Sequence, residues 1–352
     1  MPGRYSAVQN HDIFVVGASA GGVEALIGLV EGLPAHFEGS IFVVLHIAAN
    51  AKSLLPEILS RNTELTVSHG QHEEFFRKGH VYVAPPNNHL LIDDGFIRIV
   101  HGPKENFHRP AIDPLFRSAA RMYGPRCVGV VLTGSLDDGA AGMAAIKSRG
   151  GVTIVQDPNE ALHSSMPSVV LQTVSVDYTL PVSEIGPTLG RLARSPSKDE
   201  KEYPVADELE TESKITQQTL EGEEMISQIE RIGKVSTLTC PECHGALWEI
   251  NDPDLLRYRC HVGHAFSISS LASGQDQMLE NALWSALRAL EEKLLLIRRS
   301  GDRAKSRNLL KAVRVFEERA VSVEQQAEVI RQVLLSGEFG EVAEPSGVLT
   351  EG

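Results

Sequence analysis

The stretch Ile13-Phe14-Val15-Val16-Gly17-Ala18-Ser19-Ala20-Gly21-Gly22 reads as a short apolar strand running into a glycine-rich bend with one serine at its apex. Residues 17 to 21 fit G-x-S-x-G, in which glycines tolerate a strained strand-to-helix turn that pushes a serine hydroxyl into the open. Val23 to Val30 follows with helical spacing, which is the context that pattern requires. Three readings of Ser19 stand side by side at this point: a nucleophile, a phosphate or nucleotide cradle, and a plain helix N-cap. The dinucleotide version is weakened because G-x-G-x-x-G does not occur here, and the P-loop lysine is missing.

Working outward, residues 11 to about 190 alternate apolar runs with helical stretches, the signature of a parallel sheet covered by helices. Strands are expected at Ile41 to Leu45, Val81 to Ala84, Leu90 to Asp93, Phe96 to Val100, Cys127 to Leu132, Val152 to Val155 and Val176 to Tyr178. Helices are expected around Ser53 to Arg61, Pro114 to Met122, Ala140 to Lys147 and from Ser168. The expected fold class is α/β with a doubly wound, mainly parallel sheet, followed by a small zinc-binding module and an α-helical hairpin.

In such sheets ligands bind beyond the carboxyl ends of the strands. Ser19, His46 and Asp138 all follow such ends. Together they would supply a hydroxyl nucleophile, an imidazole to take its proton, and a carboxylate to orient the imidazole. That reading places His46 Nε2 on Ser19 Oγ and Asp138 on the other ring nitrogen. Each residue also has a plain structural reading: His46 could close a strand, and Asp138 or Asp137 could cap the helix near Ala140.

VVGASAGGVEAL, VVLHIAAN, VYVAPPNNHLLI, HRPAIDPLF and VGVVLTGSLDDGAAGM, in this order, resemble the catalytic domain of CheB-type chemotaxis receptor methylesterases. The resemblance implies hydrolysis of γ-glutamyl methyl esters on chemoreceptors or related signalling proteins, with related glutamine deamidation. It places the catalytic serine, histidine and aspartate on Ser19, His46 and Asp138, calls for no cofactor in that step, and gives His108, Arg109, Asp113 and Met166 a supporting place. Members typically carry threonine after the serine and methionine ahead of the aspartate loop, where this chain has Ala20 and Ser135. They are commonly preceded by a receiver domain, whereas about ten residues precede the first strand here. A low-turnover scaffold that keeps this fold is the alternative reading.

Composition narrows the partners. A net charge of −13 over 352 residues argues against a general nucleic-acid binder, and no apolar run is long enough to span a bilayer. Without a charged-then-apolar leader, a cytoplasmic protein is expected. Cys127 reads as core.

Beyond residue 190 the character changes. Lys198 to Glu230 holds eleven acidic and three basic residues and reads as an acidic linker, partly helical. Cys240 and Cys243 form a tight pair; Cys260 and His264 follow, with His261 between them. Two Cys/His pairs at this distance predict a tetrahedral zinc site of Cys240, Cys243, Cys260 and His264, with Trp248, Tyr258 and Phe266 over it. Leu279 to Ile297 and Leu309 to Leu334 repeat apolar residues by threes and fours, predicting two helices joined around Ser300 to Ser306. A hairpin burying its own seam is the simplest outcome, and dimerisation through these helices the alternative. The expected divisions are 1–190, 191–236, 237–272, 273–338 and a disordered tail at 339–352.

Overall fold

A computed structural model of the chain describes residues 9–220, 222–252 and 255–336; the expected tail at 339–352 lies outside them. The chain divides into two compact units, one reaching to Leu271 and one starting at Ala272.

The first unit opens with β1 (Ile13–Ala18), α1 (Gly22–Glu31), β2 (Ser40–Leu45), α2 (Leu55–Leu59), β3 (Thr66–His69) and β4 (His80–Val83). A separate two-stranded hairpin follows, β5 (His89–Ile92) with β6 (Ile97–Val100). Next come α3 (Ile112–Tyr123), β7 (Cys127–Val131), α4 (Ala140–Ser148), β8 (Val152–Gln156), α5 (Ser165–Thr173), β9 (Tyr178–Leu180) and α6 (Val182–Leu192). Seven strands form one sheet in the order β3-β4-β2-β1-β7-β8-β9. Every pairing in it is parallel.

Side-chain alternation explains why both faces are covered. Ile13 and Val15 of β1, with Phe42 and Val44 of β2, point into one core with α3 and α4. Phe14 and Val16, with Ile41 and Val43, point into the other core with α1 and α6. Strands buried on both faces read as continuous apolar runs, which is why β1, β2 and β7 are plain in the sequence. β3 is not, because Thr66–His69 is a polar edge strand with no fully buried residue. The β1/β7 boundary is where strand order reverses, the place on the carboxyl edge of such sheets where ligand sites form.

The acidic stretch departs from a loose linker. It carries α7 (Asp207–Thr216) and α8 (Gly222–Ile232), and Ile215, Leu220, Met225 and Ile229 pack around Trp248. Trp248 therefore serves this small core instead of covering the cysteines. Four antiparallel strands follow: β10 (Gly233–Thr239), β11 (Ala246–Ile250), β12 (Arg257–Cys260) and β13 (Ala265–Ser267). Tyr258 and Phe266 do pack with Cys240 and Cys260, as expected.

This part is bound to the sheet domain through buried charge. Arg117 of α3 donates to both oxygens of Glu105 at 2.7 and 2.6 Å. Arg259 of β12 reaches Glu105 at 3.3 Å and Glu212 of α7 at 2.8 Å, and Arg257 donates to Glu212 at 2.8 Å. Burial opposes ionisation of Glu105, but the guanidinium groups of Arg117 and Arg259 outweigh it and lower its pKa.

α9 (Ile268–Ser306) and α10 (Leu310–Leu335) complete the chain. α9 starts directly after β13, about ten residues earlier than the apolar spacing indicates. Within the second unit, Arg298 pairs with Glu324 at 3.0 Å and Arg331 with Glu291 at 2.7 Å, so the helices run as a hairpin. No helix among the described residues is long and apolar enough to cross a membrane.

Candidate active site

Strand register alone brings the first two residues together. Ala18 is the last residue of β1 and pairs with Leu45, the last of β2, so Ser19 and His46 leave the sheet side by side. The His46 amide donates to the Ala18 carbonyl at 3.1 Å. On the other flank, Gly17 pairs with Val131 of β7, and the Ser19 amide donates to the Thr133 carbonyl at 3.0 Å. The loop from Thr133 to Gly139 thereby delivers Asp138 to the same edge.

Ser19 Oγ and His46 Nδ1 are 3.1 Å apart, and His46 Nε2 and Asp138 Oδ2 are 2.7 Å apart. The expected ring placement is therefore corrected: Nδ1, not Nε2, faces the serine. The tautomer follows from Asp138, whose oxygens already accept from backbone and amide donors. An ionised carboxylate can only accept, so Nε2 carries the hydrogen and Nδ1 is free to accept from Ser19.

Asp138 is almost fully buried and accepts four bonds. Oδ2 takes His46 Nε2–H and the Ile112 N–H, each at 2.7 Å; Oδ1 takes Asn106 Nδ2 at 3.1 Å and the Asp113 N–H at 3.3 Å. Burial by itself would raise its pKa. The hydrogen bond and charge of His46, with the Ile112 amide, reverse this and hold it well below the ordinary range. The capping alternative for Asp138 does not hold, because the first amides of α4 are taken by Asp113: its Oδ1 accepts from Gly139 at 3.1 Å and Gly142 at 2.7 Å. Burial, then the neighbouring Asp138 charge, push the Asp113 pKa well up, so the negative charge of this pair sits on Asp138.

His108 lies flat against His46, with ring centroids 3.6 Å apart and planes 8° apart. Burial and the positive end of His46 lower its pKa to about 4, so it is neutral at pH 7. A second cation beside His46 is thereby avoided. Arg109 is turned to the rim, donating to Asn87 Oδ1 at 2.8 Å and to the Gly102 carbonyl at 2.7 Å. Ser19, His46, His108, Arg109 and Lys104 line one cleft of about 390 Å³.

The bend around Ser19 needs two glycines. Gly21 has φ of +72°, the left-handed region. Gly134 allows close approach: a Cβ there would come within 2.1 Å of Met166 Sδ and 2.8 Å of Ser19 Cβ. The Ala20 and Gly21 amides, at the head of α1, donate to no acceptor among the described residues. Two donors at a helix N-terminus beside a hydroxyl can stabilise an oxyanion.

Residues 14–189 match the family model described as CheB methylesterase. The chain belongs to the CheB methylesterase family. It is 39% identical over 184 residues to a Leptospira interrogans relative, covering 52% of this chain and 95% of that one. An Anaeromyxobacter dehalogenans protein-glutamate methylesterase/protein-glutamine glutaminase 2 is 39% identical over 193 residues, 55% of this chain and 56% of that one. The chain thus spans just over half the length of that second relative. Among solved structures, the Thermotoga maritima CheB methylesterase catalytic domain matches with TM-score 0.50 and 33% identity, covering 51% of this chain and 98% of that chain.

Against the family pattern, Ala20 is half-buried in the bend and its carbonyl accepts from Thr133 Oγ1 at 3.0 Å, while Ser135 is exposed. Asn106, which touches Asp138, carries no signal in sequence: a lone asparagine in a loop is indistinguishable from a turn residue.

A second cluster lies at the hairpin turns of the four-stranded sheet. Cys240, Cys243, Cys260 and His264 bring one ligand atom each within 4.8 Å of one another, while His261 lies outside the cluster. Two backbone turns build it: His244 N–H to the Cys240 carbonyl at 2.8 Å, and Gly263 N–H to the Cys260 carbonyl at 2.8 Å. These four residues could hold a metal ion.

Proposed function

We propose that the chain is a protein-glutamate methylesterase in which Ser19, His46 and Asp138 carry the chemistry. The observation that carries this reading is the unbroken relay from Ser19 Oγ through the His46 ring to Asp138, at 3.1 and 2.7 Å, inside a domain of the CheB methylesterase family. Ser19 Oγ attacks the carbonyl carbon of a γ-glutamyl methyl ester as His46 Nδ1 takes its proton. The tetrahedral oxyanion is held by the Ala20 and Gly21 amides. As the C–O bond to the methoxy group breaks, His46 returns the proton and methanol leaves. Water, deprotonated by the same nitrogen, then releases the free glutamate from the acyl-serine. Asp138 fixes the tautomer and stabilises the imidazolium.

The partner is a methylated chemoreceptor or related signalling protein. A glutamine side chain fits the same steps with ammonia as leaving group, giving the glutaminase activity named in relatives. The test is methanol release from methylated receptor by purified Ser19→Ala protein. Loss of turnover to background is expected; release at the wild-type rate would refute the assignment.

The four-residue cluster is proposed to hold a structural Zn²⁺. Cys243 Sγ to Cys260 Sγ is 3.7 Å, and His264 Nδ1 lies 3.7 and 3.6 Å from Cys240 and Cys260. Tetrahedral bonds of about 2.3 Å to sulfur and about 2.0 Å to nitrogen put ligand pairs about 3.5 to 3.8 Å apart, which these three pairs match, within a set of four donors that all lie within 4.8 Å of one another. Four protein ligands leave no open position, which assigns the metal to folding.

A further inference from the structure

Asn106 joins Asp138 to a part of the chain outside the family match. Its Nδ2 donates to Asp138 Oδ1 at 3.1 Å and lies 3.4 Å from Asp113 Oδ2. Its Oδ1 accepts from the Ser267 N–H at 2.9 Å and from Ser270 Oγ at 2.8 Å. The amide orientation is fixed by these partners: turned over, Nδ2 would face a backbone N–H and Oδ1 would face two carboxyl groups.

The backbone agrees. Asn106 and Phe107 have φ of +49° and +66°, and for phenylalanine the left-handed region is strained. Such strain persists where surroundings over-determine it. Here the Asn106 N–H donates to the Ala265 carbonyl of β13 at 2.8 Å, and the Phe107 ring packs on Phe266 at 5.1 Å. Ser267 Oγ also donates to Asp137 Oδ1 at 2.6 Å, so the loop carrying Asp138 is gripped at two adjacent residues.

We propose that Asn106 is a positioning residue for Asp138, and that Ser267 and Ser270, beyond the family domain, complete the active site through it. The proposal rests on the triad assignment above. Oδ2 of Asp138 has two bonds at 2.7 Å, whereas Oδ1 has Asn106 and only the 3.3 Å Asp113 amide besides. Asn106 therefore sets the rotation of the carboxylate and keeps Oδ2 on His46.

Full-length Asn106→Ala and Ser270→Ala proteins test this by two readouts: kcat and KM for methanol release, and the low-field proton resonance of His46 Nε2–H. A hydrogen bond to a charged acceptor contributes enough that Asn106→Ala should lower kcat roughly ten- to hundredfold with KM unchanged within about threefold. Ser270→Ala leaves the Ser267 N–H on Asn106, and a drop of roughly three- to tenfold is expected. The resonance should shift upfield or broaden in both. If Asn106→Ala does not fold, Ser270→Ala decides alone. An unchanged resonance in the folded variants overturns the proposal whatever the turnover. If wild-type protein released no methanol yet the resonance moved in both variants, the positioning role would stand and the methylesterase reading would be the one that failed.

Discussion

Replacing Asp138 by asparagine is the sharpest test of the relay, because the change is nearly isosteric and its effect can be worked out bond by bond. All four partners of the carboxylate are donors: His46 Nε2–H and Ile112 N–H on Oδ2, Asn106 Nδ2 and Asp113 N–H on Oδ1. An amide has one NH₂, which must face two of them. Facing Oδ2's partners, it forces His46 to accept at Nε2, so the hydrogen moves to Nδ1 and the ring can no longer take the proton of Ser19. Facing the other pair, it leaves buried donors opposed and still removes the charge that stabilises the imidazolium. Either outcome should lower kcat for methanol release roughly 10³- to 10⁴-fold, about 4 to 5.5 kcal/mol of transition-state stabilisation. Asp137→Asn, whose carboxyl is held by Ser267 and Ser269, should stay within about fivefold of wild type. Turnover of Asp138→Asn within tenfold of wild type, with Asp137→Asn collapsed, would refute the assignment of roles.

Three other outcomes are expected. Gly134→Ala drives a methyl group into Met166 Sδ and Ser19 Cβ; overpacking of this kind costs about 1 to 3 kcal/mol, and misplacing Ser19 should lower kcat about a hundredfold or more, read by urea melts and methanol release, with full activity refuting the close approach. For His108 the sign runs from its folded pKa of about 4, below the ordinary 6.5: the unfolded chain binds more protons between these values, so stability is lost as pH falls from 6.5 towards 4, by at most about 3 kcal/mol. His108→Gln should flatten that dependence in denaturant titrations, and an unchanged slope would contradict it. Purified protein should carry about one zinc per chain by elemental analysis; chelation or Cys240→Ser should lower Tm by several degrees, whereas Cys127→Ser, in the sheet core, should leave metal content unchanged.

What was legible in sequence divides by physical cause. β1, β2 and β7 are buried on both faces, so their apolar runs announce them, and parallel register then sets Ser19 beside His46 without further information. Polar β3 and the amphipathic α6 lack that run. The acidic segment looked loose because its charge count hides a pattern: Glu212 is buried against Arg257 and Arg259, partners about forty-five residues away that no local window contains. Partners beyond any local window likewise conceal Asn106 and the helix-capping work of Asp113. The sequence puts His46 at the end of β2, but which ring nitrogen meets Ser19 depends on the direction from which Asp138 arrives, and that is decided by the Thr133–Gly139 loop and not by residue type.

The buried cluster of Glu105, Arg117, Arg259, Glu212 and Arg257 has a consequence for how this chain can be divided or recombined. Glu105 and Arg117 lie within the stretch shared with relatives; Arg259, Glu212 and Arg257 lie past its end. The length of chain that is inherited as a family and the length that is electrically self-contained are therefore different. A splice at residue 190 would follow ancestry but remove Arg259, Thr216 and Glu212 together, taking from Glu105 one of its two cations and the residues that pack against it and opening the Glu105–Arg117 pair to water. A working graft from this protein would have to carry the sheet domain and everything to Leu271 as one piece.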